Sequence, residues 1–182
     1  IKLAIENKVQ IINDIDLLIE TNPKAKIVGI TGTNGKSTTA ALLFHILKFN
    51  KIKSVICGNF GIPACSINDP GENGVIILEL SSYQLDGSKK LSLDMATIIN
   101  ITPAHLDYHE SFDRYVSSKL KIINFLKNDG IFFYEKSNPL IKEIINPKNY
   151  NSLKFIKTHK SKSKDFLNDN YYLKGNHNET NA

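Results

Sequence analysis

The sequence predicts an α/β fold, a mainly parallel sheet flanked by helices, and three observations carry that expectation. Apolar runs of strand length recur at 27–31, 75–80, 96–101 and 131–134. Between them lie segments of helical periodicity, above all 37–48 and 112–127. A Gly-rich turn, Gly29-Ile-Thr-Gly-Thr-Asn-Gly-Lys-Ser-Thr38, joins the first of those strands to the first of those helices. Proteins cradle nucleotide phosphates with such a turn.

In chain order, Lys8-Val9-Gln10-Ile11-Ile12 is expected as a short strand and 14–20 as a small helix. Asn22-Pro23 breaks the chain, and a domain boundary or linker is expected there. Strand 27–31 and the phosphate loop follow, then helix 37–48 with Leu42, Leu43, Ile46 and Leu47 on one face. Strand 53–57 leads into the turn Gly58-Asn59-Phe60-Gly61. The run 75–80 is apolar except for Glu79, as expected of a central strand covered on both faces. Strand 96–101 is stopped by Thr102-Pro103, and helix 112–127 precedes strand 131–134. Further on, a short helix over 140–145 and strands over 153–157 and 171–174 are expected between polar loops.

With 182 residues, the chain has the length of one domain and can bury a substantial core. Its 41% apolar and 23% charged residues are those of an ordinary soluble globular protein. No apolar run approaches the ~18 residues that span a bilayer, and no signal peptide is visible, so a cytoplasmic protein without membrane contact is expected. Cys57 and Cys65 lack metal-ligand spacing and are expected as small buried hydrophobes. The net charge of +5 gathers late, in Lys154, Lys157, Lys160, Lys162 and Lys164. That stripe lacks interleaved aromatics, so a solvated loop is expected rather than a nucleic-acid surface. The chain opens at Ile1 and stops at Ala182 where a helical pattern begins, so a piece of a longer protein is expected.

In the loop, glycines let backbone N–H groups close on phosphate oxygens. Lys36 can then reach the β- and γ-phosphates, and the Ser37 hydroxyl can ligate Mg²⁺. The general pattern wants Gly six residues before the Lys, where this chain has Ile30, with Gly29 and Gly32 on either side. In open α/β sheets ligands bind at the carboxyl ends of the strands. Strand 75–80 brings Glu79 there, followed by Ser81, Ser82, Tyr83 and Gln84. Strand 96–101 brings Thr102, His105 and Asp107. A carboxylate ending an apolar strand beside a phosphate loop is suited to Mg²⁺. His45 and His159 are read as structural, and His109 carries no further signal. In helix 112–127, Lys119 sits inside the apolar arc of Phe112, Tyr115, Val116, Leu120, Ile122, Ile123 and Leu126. Such a lysine either snorkels out or stays partly dry, where desolvation lowers its pKa and its amine can take up CO₂ as a carbamate.

These residues resemble the Mur ligases of bacterial cell-wall synthesis. Six segments carry the likeness in the family's order: Gly29 to Thr39, Gly58 to Pro63, Leu78-Glu-Leu-Ser-Ser-Tyr-Gln-Leu85, Asn100-Ile-Thr-Pro-Ala-His-Leu-Asp107, Tyr115 to Leu120, and Gly175 to Ala182. The Glu-Leu-Ser-Ser-Tyr-Gln-Leu segment resembles the D-glutamate-adding branch. The resemblance implies that Gly32, Thr33, Asn34, Gly35, Lys36, Ser37, Thr38 and Thr39 bind the ATP phosphates, and that Asn178 and Asn181 approach the nucleotide. It implies Asn59 and Ser81 on the UDP-sugar side, and Ser37, Glu79, His105 and a carbamylated Lys119 serving two Mg²⁺ ions. Lys36, His105 and Lys119 are then the candidate catalytic groups. The implied reaction joins D-glutamate to UDP-N-acetylmuramoyl-L-alanine through an acyl phosphate, and the implied protein is a cytoplasmic monomer.

By the same likeness, residues 1–22 correspond to the tail of an N-terminal UDP-binding domain and 23–182 to a shortened central ATP-binding domain; the C-terminal domain is absent from this sequence. Glu135-Lys136-Ser137-Asn138 replaces the family's Asn-Ala-Asp-Asp type of turn, and 158–172 is shorter than in relatives. Alternatives are a folylpolyglutamate synthetase-like ligase, in which the loop lysine is typically followed by Gly-Ser, and an inactive nucleotide-binding remnant. The 182-residue chain alone is expected not to ligate. D-glutamate-dependent ADP release by the purified chain would overturn that.

Overall fold

The computed structural model describes residues 2–135 and 153–158. The expected helix 140–145, the expected strand 171–174, His159, Asn178 and Asn181 lie outside the described residues. Two short helices, α1 (Lys2–Glu6) and α2 (Asp14–Glu20), precede β1 (Lys26–Thr31), α3 (Lys36–Phe49) and β2 (Ser54–Gly58). After these come β3 (Val75–Glu79), α4 (Ser82–Gly87), β4 (Leu93–Ile98), α5 (Leu106–His109), α6 (Phe112–Asn124), β5 (Leu126–Glu135) and β6 (Lys154–Thr158). The six strands form one sheet in the order β2-β3-β1-β4-β5-β6, and every pairing is parallel.

Alternation along β1 assigns its side chains to two layers. Ile27 packs in the larger core with α2 and α6, whereas Val28 and Ile30 face α3. Gly29 lies on the α6 side: a Cβ there would stand 2.7 Å from Leu93 Cδ1 and 3.3 Å from Ile122 Cδ1. The missing side chain lets α6 approach β1 closely. On α6 itself Tyr115, Val116, Ser118, Lys119, Ile122 and Ile123 are buried; of the expected arc Phe112 and Leu120 are only half-buried, and Ser118 joins the buried side.

The N-terminal segment is fastened to this layer by polar side chains. Asn13 caps α2 and donates from Nδ2 to Ser88 Oγ at 2.9 Å and to Gln84 O at 3.3 Å. The buried Asp16 carboxylate accepts from the backbone N–H groups of Lys89 and Lys90 at 2.9 and 3.0 Å. Behind them Ile15 and Leu18 join the same core as β3 and β4.

Several expectations are corrected. Residues 8–12 form no strand: Lys8 takes a positive φ, and the Lys8 and Val9 N–H groups turn back to Ile5 O and Ala4 O at 3.0 and 2.8 Å, closing α1, with Val9 59% exposed. The strand expected at 96–101 runs from Leu93 to Ile98, because Leu93 already pairs with Leu126 and the chain after Ile98 turns toward the phosphate loop. Helix 112–127 stops at Asn124, where Phe125 N–H returns to the Ile122 and Ile123 carbonyls and Leu126 enters β5. On α3 the face read as buried is only half-covered: Ile46 is 56% exposed and Ala40 is the helix's only buried residue. Cys57 is buried as expected, but Cys65 is exposed.

The end of β2 makes a contact that only glycine permits. Gly58 has φ +103°, and a Cβ there would lie 2.4 Å from the Glu79 carbonyl oxygen. Gly58→Ala combines backbone strain with a collision against main chain, so it is expected to cost about 2–4 kcal/mol in denaturant unfolding. A loss below about 0.5 kcal/mol, the size of an ordinary surface change, would contradict this packing.

Candidate active site at the carboxyl edge of the sheet

β1 ends at Thr31, whose hydroxyl donates to the Leu80 carbonyl at 2.8 Å and ties the exits of β1 and β3 together. The loop then runs beside the chain leaving β4. Thr33 N–H donates to Asn100 O at 3.0 Å and to Asn100 Oδ1 at 3.1 Å. Asn34 N–H donates to the same Oδ1 at 2.9 Å, and Asn100 Nδ2 donates back to Asn34 O at 3.0 Å. Thr33 Oγ1 is also 2.9 Å from the Tyr115 hydroxyl and accepts from Thr102 N–H at 3.0 Å. Gly35, at φ +80°, caps α3 in the left-handed region. The first helical bond is Thr39 N–H to Gly35 O, so the N–H groups of Lys36, Ser37 and Thr38 precede the helical ladder and form an anion-binding end.

Two lysines meet on one carbonyl. Lys36 Nζ donates to Gly32 O and Thr33 O, each at 3.0 Å, and Lys119 Nζ donates to Gly32 O at 2.9 Å and Thr31 Oγ1 at 3.3 Å. Lys119 is 2% exposed and lies 4.9 Å from the centre of the Tyr115 ring. It does not snorkel. Burial, reinforced by the Lys36 charge, lowers its pKa to about 7. Burial also lowers the pKa of Lys36, with Glu79 opposing.

Glu79 closes the site from β3, where it is 1% exposed and pairs with Ile30 across the ladder. Asn59 Nδ2 donates to its Oε1 at 2.9 Å, while Oε2 is buried with no hydrogen-bond partner. A buried carboxylate oxygen left open is an unusual cost, and a cation is the natural occupant of its lone pairs. Among the described residues no three His, Cys, Asp or Glu side chains form a ready-made cage. That suits Mg²⁺, which keeps waters and phosphate oxygens and takes few protein ligands. The open Glu79 oxygen therefore fits the ion.

The other expected residues are placed less uniformly. His105 is exposed, has φ +54°, and its ring stands 5.2 Å from Tyr83 and 6.2 Å from Tyr115. Asn59 contacts Glu79 through both its side chain and its backbone N–H, the latter at 2.9 Å to Glu79 O. The Ser81 hydroxyl is engaged in the capping box of α4, accepting from Gln84 N–H and facing Gln84 Oε1. Thr39 Oγ1 is buried without a partner. Asn178 and Asn181 fall outside the described residues.

Sequence reading gave no role to His109, which is buried 3.0 Å from Ser82 Oγ and packs against Tyr83, Tyr108 and Tyr115. Burial pushes its imidazole below the ordinary value. Its spacing from His105 was the available signal, but the Ser82 contact spans 27 residues.

Lys119 yields a pH test. Its native pKa lies near 7 against 10.5 for the free side chain, so between these values the unfolded chain holds a proton that the native chain lacks. Stability therefore rises with pH from about 7 to 10.5, and the burial penalty is full below that window. Thermal melts are expected to show this rise for the wild type and a flatter profile for Lys119→Met. Parallel profiles would sink the assignment.

Comparison with known proteins gives the family. The family description Mur ligase middle domain matches residues 30–182. The chain is 38% identical over 144 residues to the UDP-N-acetylmuramoylalanine–D-glutamate ligase of Rickettsia prowazekii, covering 79% of this chain and 32% of that protein. It is 42% identical over 125 residues to the ligase of the same name from Wolbachia pipientis, covering 68% and 24%. The chain thus spans about a third or less of the length of these curated relatives. Among solved structures, MurF ligase from Thermotoga maritima in complex with ADP superposes with TM-score 0.63 at 24% identity, over 80% of this chain and 35% of that one. UDP-N-acetylmuramate:L-alanyl-γ-D-glutamyl-meso-diaminopimelate ligase from Neisseria meningitides gives TM-score 0.69 at 15% identity, over 99% and 66%. At such identities the two structures attest the fold alone. By the family match over residues 30–182, the chain belongs to the Mur ligases, in their middle domain.

Proposed function

We propose that this chain is the ATP-binding unit of an ATP-dependent ligase that joins D-glutamate to UDP-N-acetylmuramoyl-L-alanine in peptidoglycan synthesis. The observation that carries the reading is the convergence of Lys36 and Lys119 on Gly32 O beside a buried Glu79 with one oxygen open. Relatives named for this D-glutamate ligation support it over a folylpolyglutamate synthetase-like ligase.

In this reading the N–H groups at the start of α3 and the glycines of the loop hold the ATP phosphates. Lys36 leaves its carbonyl contacts for the β- and γ-phosphates, where its charge offsets that of the transferring group. Ser37, Glu79 and His105 would hold magnesium, which would supply charge neutralisation between phosphate and substrate carboxylate. The substrate carboxylate attacks the γ-phosphorus, ADP leaves, and the amine of D-glutamate displaces phosphate from the acyl carbon. By the family likeness, Asn59 and Ser81 are assigned to the UDP-sugar substrate, and Asn178 and Asn181, outside the described residues, to the nucleotide. By the same likeness, the buried Lys119 amine would take up CO₂ as a carbamate, with loss of a proton, and so add an anionic ligand; its lowered pKa supports this. Residues 1–22 are the tail of a UDP-binding domain, and 23–182 form the central domain. A monomeric, cytoplasmic enzyme serving cell shape and division completes the proposal. Among the described residues no helix is long and apolar enough to cross a membrane.

The decisive experiment is thermal unfolding with Mg-ATP or Mg-ADP. At 100-fold excess over the dissociation constant, binding to the folded state stabilises by about 2.7 kcal/mol, which appears as a clear rise in melting temperature. Lys36→Ala is expected to lose most of that rise. A wild-type chain whose melting temperature ignores saturating nucleotide would end the proposal.

A further inference from the structure

We infer that Asn100 is a positioning residue of the active site: its side-chain amide fixes two consecutive peptide planes of the phosphate loop, whose carbonyls hold Lys36 and Lys119. The inference deepens the nucleotide-binding reading and rests on it.

The geometry begins with peptide planarity. In a trans peptide the C=O and N–H of one unit point in opposite directions. The unit between Gly32 and Thr33 sends its N–H to Asn100 and its carbonyl to both lysines. The next unit, between Thr33 and Asn34, sends its N–H to Asn100 Oδ1 at 2.9 Å and its carbonyl to Lys36 Nζ at 3.0 Å. One side-chain oxygen thus determines which way two carbonyls face. Asn100 Nδ2 holds the third unit through Asn34 O at 3.0 Å, so the amide grips the loop as a neighbouring peptide would. The strand ladder supports this grip: Ile99 N–H reaches Thr31 O at 2.9 Å, Thr33 N–H reaches Asn100 O, and the side chain continues the pairing where the backbone diverges.

The N–H groups of Thr33 and Asn34 are therefore directed at Asn100. Rotation of either plane would turn its N–H toward the lysines and take their acceptor carbonyl away. A fold need not be lost for that to happen, because Thr33 N–H keeps its backbone bond to Asn100 O whatever residue stands at 100. The Asn34 N–H has no such second acceptor among the described contacts, and it is the group that reports the effect.

The test compares the wild-type chain with Asn100→Ala and Asn100→Asp by amide hydrogen exchange and by Mg-ADP titration. In Asn100→Ala the Asn34 amide is expected to exchange about tenfold faster or more, while amides of β1 and β4 keep wild-type rates. Asn100→Asp retains the acceptor oxygen and is expected to restore Asn34 protection to within about threefold of wild type. The affinity of Asn100→Ala for Mg-ADP is expected to fall about tenfold, since only part of the population presents the competent loop. Unchanged Asn34 exchange in Asn100→Ala, or equal loss of protection in both variants, overturns the inference. So does an unchanged Mg-ADP affinity. Failure of the wild type itself to bind Mg-ADP would count against the nucleotide reading, and the exchange comparison would still decide the role of Asn100. If Asn100→Ala does not fold, loss of Asn34 protection in a folded Asn100→Asp overturns the inference, and retained protection supports it.

Discussion

The Gly32 carbonyl accepts from two amines, Lys36 at 3.0 Å and Lys119 at 2.9 Å, and much of the architecture serves that meeting. Two cations beside one oxygen repel each other, and burial raises the cost of keeping either charged. The fold meets this in three ways. Gly29 lets α6 come close enough for Lys119 to reach the end of β1. Tyr115 offers its ring face to the buried amine and its hydroxyl to Thr33. Glu79 supplies the opposite charge from the neighbouring strand. Each of these belongs to a different element, so the site exists only when β1, β3 and α6 are packed together.

The two layers on the sheet are unequal. On one side α2, α4 and α6 build a core that takes in Ile15, Leu85, Tyr115 and Ile122. On the other, α3 covers Ile30, Ile77 and Ile99 with only Ala40 buried, and Phe49 is 81% exposed. The rigid layer carries Lys119, and the thinner layer carries the helix whose first turn faces the phosphates. Buried contacts resist local opening, so exchange protection should be higher in α6 than in α3.

What was legible in the sequence was what depends on near neighbours. The apolar runs gave β1 and β3, the Gly-Lys-Ser turn gave the loop, and the 3.6-residue arc of α6 put Lys119 on the covered side. The choice between a snorkelling and a dry lysine was not local: it depended on Gly32 O and Thr31 Oγ1, 87 and 88 residues away in sequence. The same holds for Asn100, whose partners lie 66 and 67 residues upstream, and for Ser82 with His109. Val9 and Ile11 show the converse failure: a β-rich composition predicts a strand, but among the described residues no strand pairs with it, and the Val9 N–H closes α1 instead. Ser81 was read for its place after an apolar strand, and its helix-capping geometry with Gln84 became visible only with α4.

The polar clasp formed by Asn13 and Asp16 has a mechanical consequence. Asn13 grips Gln84 and Ser88 while Asp16 grips the two residues after them, so the segment ahead of the sheet is hitched to α4 at its trailing end. The leading end of that same short rod is Ser81, at the rim where the phosphate loop opens. A tug on the upstream segment is thus delivered lengthwise to the rim, with six residues of helix as the lever.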